Sequence, residues 1–232
     1  MPRPRRKVQS GAYYHVLNRG NGRQDLFHKQ ADYVAFLQVL AEGLQRYPAD
    51  LLCYCLMGNH WHLVLRPRTA AALADLMRWV GVTHVRRHHE HYHSRGGGHL
   101  YQGRFKSFPI QDDLHFLTVC RYVEANPLRA RLVEKAEAWP FSSLSQRTAG
   151  AATENHKPLP ILAQWPVQRP RDWAAKVNRP IGKQLLERLH ESVNRGRPFG
   201  DDRWVEKTAA RLGLGNTLRR PGRPKKISQN KE

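Results

Sequence analysis

Apolar positions along the chain recur with two spacings, one of strands and one of helices. Ala12-Tyr13-Tyr14-His15-Val16-Leu17-Asn18 reads as a strand, and Arg19-Gly20-Asn21-Gly22-Arg23 as a turn. From Asp32 to Arg46, Tyr33, Phe36, Leu37, Leu40 and Leu44 fall on one side of a helix. Two β-rich runs, Leu51–Met57 and His60–Leu65, are separated by Gly58-Asn59, a dipeptide that suits a tight hairpin turn. Thr69 can cap a helix from Ala70 through about Arg87, buried through Leu73, Leu76, Met77 and Val80. His88 to Gly98, rich in His and Gly, reads as a loop, and Leu100–Ile110 holds the extended stretch Tyr101–Phe108. Asp112 or Asp113 then caps a helix that Pro127 ends.

The order strand, helix, strand, strand, helix, strand, helix predicts an α+β fold, an antiparallel sheet with helices packed on one face. Residues 1–145 form this unit. Residues 146–170, rich in Pro, Ala and Thr, read as a linker, and 171–215 as a helical DNA-binding accessory region with helices near Ile181–Asn194 and Asp201–Leu212. Residues 216–232 read as a basic, disordered tail. The two late helices around Gly196–Gly200 suit either a helix-turn-helix or a plain helical hairpin. There is no internal repeat.

Charge changes the picture from fold to partner. The 232 residues carry a formal net charge of +20, far more than folding needs, which points to a polyanion and first to nucleic acid. No long apolar span or strong amphipathic anchor suggests a membrane partner. Met1-Pro2-Arg3-Pro4-Arg5-Arg6-Lys7 lacks the apolar stretch of a signal peptide, so a cytoplasmic protein is expected. Three cysteines make no disulfide framework; Cys53 and Cys55 read as small core residues, since no second pair exists to close a zinc site.

Candidate chemistry centres on His60-Trp61-His62. In a strand, residues two apart share a face, so His60 and His62 present two imidazoles side by side with Trp61 opposite. Two neutral imidazoles so placed can bind one divalent cation, although a triplet of this kind can also arise by chance in a chain with 13 histidines. Tyr122 and Asn126, four apart, share one helix face. A tyrosine phenol can attack a phosphodiester, and an asparagine amide oxygen can complete the ligand set of two histidines for Mg²⁺ or Mn²⁺. Against this, helix tyrosines commonly serve packing, and Asn before Pro commonly caps a following helix.

Four segments together resemble a known family: Tyr54–Leu63, Gly103-Arg104-Phe105-Lys106, Arg121–Ala130 and Trp139-Pro140-Phe141-Ser142-Ser143. In this order they are similar to the REP-associated tyrosine transposases of the HUH endonuclease superfamily, related to the single-tyrosine transposases of bacterial insertion sequences. The resemblance covers about residues 10 to 145. It implies a ferredoxin-like catalytic domain that cleaves single-stranded DNA beside palindromic hairpins, with His60 and His62 as metal ligands, Tyr122 as nucleophile and Asn126 as third ligand. Gly58 stands where the family usually has proline, and Asn126 where insertion-sequence relatives tend to have glutamine.

DNA contacts are expected from Arg19, Arg23, Arg66, Arg68, Arg104 and Lys106, with Tyr13, Tyr14, Trp61, Tyr101 and Phe105 as base-stacking rings. The tail residues Arg219, Arg220, Arg223, Lys225 and Lys226 surround a Gly-Arg-Pro core that partly resembles an AT-hook and equally suits a generic phosphate-binding tail. The reading is a metal-dependent DNA strand transferase acting at hairpins as a monomer or homodimer. The alternatives are a replication or mobilisation nuclease of the same superfamily and a hairpin-binding protein that no longer cuts.

Overall fold

The computed structural model describes residues 7–94, 96–148 and 159–219. Four strands form one antiparallel sheet: β1 (Tyr13–Arg19), β2 (Ala49–Met57), β3 (His60–Pro67) and β4 (Lys106–Ile110), in the order β2-β3-β1-β4. α1 (Gln30–Arg46) connects β1 to β2, and α2 (Ala72–His91) connects β3 to β4. This is the ferredoxin-like order of two interleaved βαβ units, as expected.

The hairpin sets the register. Met57 pairs with His60 across the two-residue turn, which holds no left-handed φ, and a Cβ at Gly58 would stand 3.3 Å from Asp25 Oδ1. The backbone N–H groups of Leu26 and Phe27 donate to the Gly58 carbonyl at 2.7 and 3.1 Å, clamping the turn from outside. Along β3, Trp61, Leu63 and Leu65 face one core while Val64 faces another. His60 and His62 share the Val64 face.

Helices cover both faces, where one was expected. α1 and α2 pack Phe36, Leu40, Leu73, Leu76 and Val80 against one side of the sheet. On the other side lies α3 (Leu114–Glu124), started by Asp113, whose carboxylate accepts from the His115 N–H at 2.7 Å. Phe116, Val119, Cys120 and Val123 of α3 cover Cys53, Cys55, Met57, Val64 and Phe108. The cause is visible in β2, which is apolar at nearly every position from Leu51 to Met57; such a strand demands cover on both sides. A register shift between Leu51 and Cys53 adds Leu52 to the α3 side. Cys53 and Cys55 are packing residues, and burial holds their thiols well above the ordinary range.

α3 gives way to a short helix, α4 (Asn126–Arg129), and α5 (Ser143–Thr148) follows. α6 (Trp173–Asn178) and α7 (Lys183–Arg195) extend the α3 core through Trp173, Val177 and Leu189. The buried Glu124 carboxylate joins these pieces, meeting Ser143 Oγ at 2.5 Å and Trp173 Nε1 at 2.6 Å. α8 (Asp202–Leu212) ends at Gly213, left-handed at φ 67°. Between α7 and α8 the chain pairs with the β4 edge: Phe199 N–H donates to Pro109 O at 2.9 Å, and Gln111 N–H to Phe199 O at 3.0 Å. Within the span 146–170, residues Leu162 to Trp165 lie beside β2, where Trp165 Nε1 donates to Leu52 O at 2.8 Å. No helix among the described residues is long and apolar enough to cross a membrane.

Other boundaries differ from expectation. α2 runs through His88 to His91, because tertiary contacts support its end: Tyr92 Oη donates to Asp32 Oδ2 at 2.6 Å, and Lys29 Nζ bonds His91 Nε2 at 2.8 Å. The stretch from Tyr101 enters β4 only at Lys106, since Tyr101 turns inward: its Oη accepts from Trp61 Nε1 at 3.0 Å and bonds His84 Nδ1 at 2.7 Å. Burial lowers the His84 imidazole from its usual range to about 3. The unfolded chain therefore takes up this proton below about pH 6.5 while the folded chain refuses it down to about pH 3, so stability falls as pH drops through that window. Each such histidine contributes about 1.4 kcal/mol per pH unit within it. Thermal melts at pH 7 and pH 5 should show His84→Gln losing less stability on acidification than the wild type; an equal loss would contradict this role.

Candidate active site

β3 delivers the two histidines and α3 the tyrosine to the same side of the sheet. The His60 and His62 ring centroids are 5.0 Å apart, and the Tyr122 ring is 6.0 Å from that of His62. His60 Nδ1 lies 2.6 Å from Asn59 Oδ1, while Asn59 Nδ2 donates to Arg23 O at 3.2 Å. An amide oxygen only accepts, so His60 carries its proton on Nδ1 and keeps the Nε2 lone pair free. Burial, reinforced by Arg19 and Arg129, lowers the His60 imidazole to about 4; burial, with His15 and His60 beside it, also holds the His62 imidazole well below its ordinary range. Both rings are neutral, the form that binds a cation.

His15 was missed in the sequence. It is fully buried on β1, and its Nε2 lies 2.8 Å from His62 Nδ1. For His62 to offer its Nε2 lone pair, its Nδ1 must carry the proton and donate to His15. His15 then holds its own proton on Nδ1, which is buried without a partner among the described residues. His15→Phe should exchange that orphan for an unpaired His62 Nδ1 and release the His62 tautomer, lowering Mn²⁺ affinity about 10- to 100-fold. Calorimetric Mn²⁺ titration beside a thermal melt checks this; unchanged affinity would show that His15 is only packing.

Asn126 follows the end of α3 and precedes Pro127. It does not cap α4. Instead its Nδ2 donates to the carbonyls of Tyr122 and Val123, both at 3.1 Å. Pro127 has no N–H to satisfy the Val123 carbonyl, and the Asn126 amide takes that place. Asn126 Oδ1 accepts from Arg129 Nη2 at 2.7 Å, and the Arg129 guanidinium lies 4.1 Å from the Tyr122 ring centre. His190 of α7 approaches Tyr122 from the other element, rings 6.0 Å apart.

The expected metal can be tested against these groups. Two neutral imidazoles with Nε2 available are suitable donors for a divalent cation. Among the described residues no three His, Cys, Asp or Glu side chains gather as a metal site, so further ligands must be oxygens of other kinds. The Asn126 amide oxygen is such a group, here bonded to Arg129.

The expected cations lie in different places. Arg19, register partner of His60, lines with Lys7, Arg104, Lys106 and Arg195 a groove of about 740 Å³ beside β4. Arg23 is exposed next to the hairpin turn. Arg66 and Arg68 lie toward the opposite end of β3 and pair with Asp50 at 2.6 and 2.7 Å, away from the histidines. Arg219 is exposed, its carbonyl accepting from Arg195; Arg220, Arg223, Lys225 and Lys226 lie outside the described residues. The stacking rings need correction: Tyr13, Tyr14, Trp61 and Tyr101 are buried in the two cores, leaving no face for a base.

Residues 8–126, just over half of the chain, match the family model described as "Transposase IS200 like". The fold is similar to that of a REP-associated tyrosine transposase solved bound to a REP hairpin, at 18% identity and TM-score 0.51, covering 70% of this chain and 100% of that one. A putative transposase from Deinococcus radiodurans R1 aligns over 57% of this chain and 92% of that one, at 18% identity and a TM-score of 0.37. No curated protein matches the sequence. With more than half its length matched, including the hairpin, both histidines and the tyrosine, the chain belongs to the IS200-like transposase family.

Proposed function

We propose that the protein is a metal-dependent endonuclease and strand transferase that acts on single-stranded DNA beside palindromic, REP-like hairpins. The observation that carries this reading is the convergence of His60, His62 and Tyr122 on one face of the sheet, with the Tyr122 and His62 rings 6.0 Å apart. The net charge of +20 and the basic groove ending at Arg19 supply a path for the strand. A hairpin substrate is supported by the similar solved protein, which is bound to a REP hairpin.

Tyr122 Oη attacks the scissile phosphorus, forming the Tyr–O–P bond as the P–O3′ bond breaks. The products are a 5′-phosphotyrosine and a 3′-hydroxyl, the phenol's proton passing to solvent and the departing oxygen taking one up. Because one phosphodiester replaces another, attack by a 3′-hydroxyl reverses the step and reseals or transfers the strand. Mg²⁺ or Mn²⁺ held by His60, His62 and the Asn126 oxygen would supply Lewis-acid polarisation of the phosphate. Asn59 and His15 keep both imidazoles in the ligating tautomer. Incubation with an end-labelled oligonucleotide carrying a hairpin and a single-stranded flank tests the reading: cleavage at one phosphate, stopped by EDTA, is expected, whereas no cleavage with either metal would overturn it.

The groove makes a separate prediction. Arg104→Ala/Lys106→Ala should weaken binding of the flanked hairpin and reduce the salt slope by about 1.4, near 0.7 for each single-strand phosphate that loses its cation. Fluorescence anisotropy over a salt series checks it; an unchanged slope would remove the groove from the strand's path.

A further inference from the structure

We propose that Arg129 is a movable phosphate clamp, held at rest by the Asn126 amide oxygen and released by the scissile phosphate. This rests on the phosphodiester chemistry just proposed. Arg129 lies over Tyr122, its Nη2 donating to Asn126 Oδ1 at 2.7 Å and its Nη1 to Tyr122 O at 3.2 Å. Both acceptors are neutral, and among the described residues no carboxylate lies within ion-pair distance. Arg66 and Arg68 hold Asp50, Arg87 holds Glu42, and Arg197 holds Glu191; Arg147 and Arg188 bond carbonyls as Arg129 does, but over Trp165 and Phe199, whereas Arg129 lies over Tyr122. A guanidinium without a carboxylate partner, stacked on the ring of the proposed nucleophile, suits an anion. The anion the geometry admits is a phosphodiester brought to Tyr122 Oη.

The same contact has a second consequence. In the DNA-free protein Arg129 occupies Asn126 Oδ1 and places a positive charge near His60 and His62; both effects oppose a divalent cation. A phosphate that draws the guanidinium onto its own oxygens frees Oδ1 and neutralises that charge. DNA and cation then favour each other's binding, and by linkage the effect is reciprocal. Arg129 thus keeps the site weak for metal until a strand is seated. Its fork of donors stabilises charge on the phosphate as Tyr122 attacks.

The test uses the full chain in a Tyr122→Phe background, so that nothing turns over. Mn²⁺ affinity is measured by electron paramagnetic resonance, without and with a flanked hairpin oligonucleotide, for Arg129, Arg129→Met and Arg129→Lys. With Arg129 present, the oligonucleotide should tighten Mn²⁺ binding about tenfold. Arg129→Met should bind Mn²⁺ about tenfold more tightly without DNA, respond less to the oligonucleotide, and show a DNA salt slope lower by about 0.7. Arg129→Lys, which keeps the charge and loses the fork, should show intermediate coupling, and it decides the matter if the methionine variant fails to fold. Equal DNA-free Mn²⁺ affinity, equal coupling and equal salt slope in folded variants would make Arg129 a packing residue and overturn the clamp. Absence of cleavage in the wild type would overturn the nuclease reading instead, and the DNA-free Mn²⁺ comparison separates the two failures.

Discussion

Tyr122→Phe should reduce strand cleavage by roughly four orders of magnitude or more and eliminate any covalent protein–DNA product. The substitution removes one oxygen. Among the described residues the rings around it are His15, His62 and His190, and the group stacked on it is a guanidinium, so no second hydroxyl is seen against that ring. The phenylalanine ring still fills the buried space, so the melting temperature should barely move and hairpin affinity should persist. Cleavage kinetics and anisotropy on the same oligonucleotide read both halves of the prediction. Residual covalent product in the variant would end the assignment of Tyr122 as nucleophile.

Removal of a histidine is the second large effect. His60→Ala and His62→Ala should each lower cleavage by about 10²- to 10⁴-fold, and EDTA should reproduce the loss in the wild type. The two differ in their cost to the fold. His60 is half-buried and, among the described residues, its ring bonds its neighbour Asn59, so its removal should cost little stability. His62 is 3% exposed and bonded to His15, so its removal leaves a cavity and a stranded imidazole, costing roughly 2–4 kcal/mol. His60→Ala is therefore the cleaner test of metal dependence, and full activity in it, or in EDTA, would show that the pair is structural.

Much of this was legible in the residues. Gly58-Asn59 between two β-rich runs marked the hairpin, and strand alternation placed His60 and His62 together. The uninterrupted apolar run of β2 held the sign of cover on both faces, but strand order alone suggested only one. Tyr14 and Trp61 were misjudged because a strand aromatic has the same spacing whether it faces core or solvent, and only packing against α1 and α2 decides; Tyr101, before β4, is drawn inward by its bonds to Trp61 and His84. His15 was invisible for a different reason. Its partner, His62, lies 47 residues away and on a neighbouring strand, a relation no local pattern carries. Arg129 stood within the matched motif, but its bond to Asn126 depends on the break at Pro127 that starts α4.

The most direct test is to locate the covalent bond. The wild-type protein is incubated with a hairpin-bearing oligonucleotide and Mn²⁺, the adduct is digested with nuclease and protease, and the modified peptide is sequenced by mass spectrometry. A nucleotide joined through its 5′-phosphate to Tyr122, absent in EDTA, is the predicted result; an adduct on any other residue, or cleavage with no adduct at all, would contradict it.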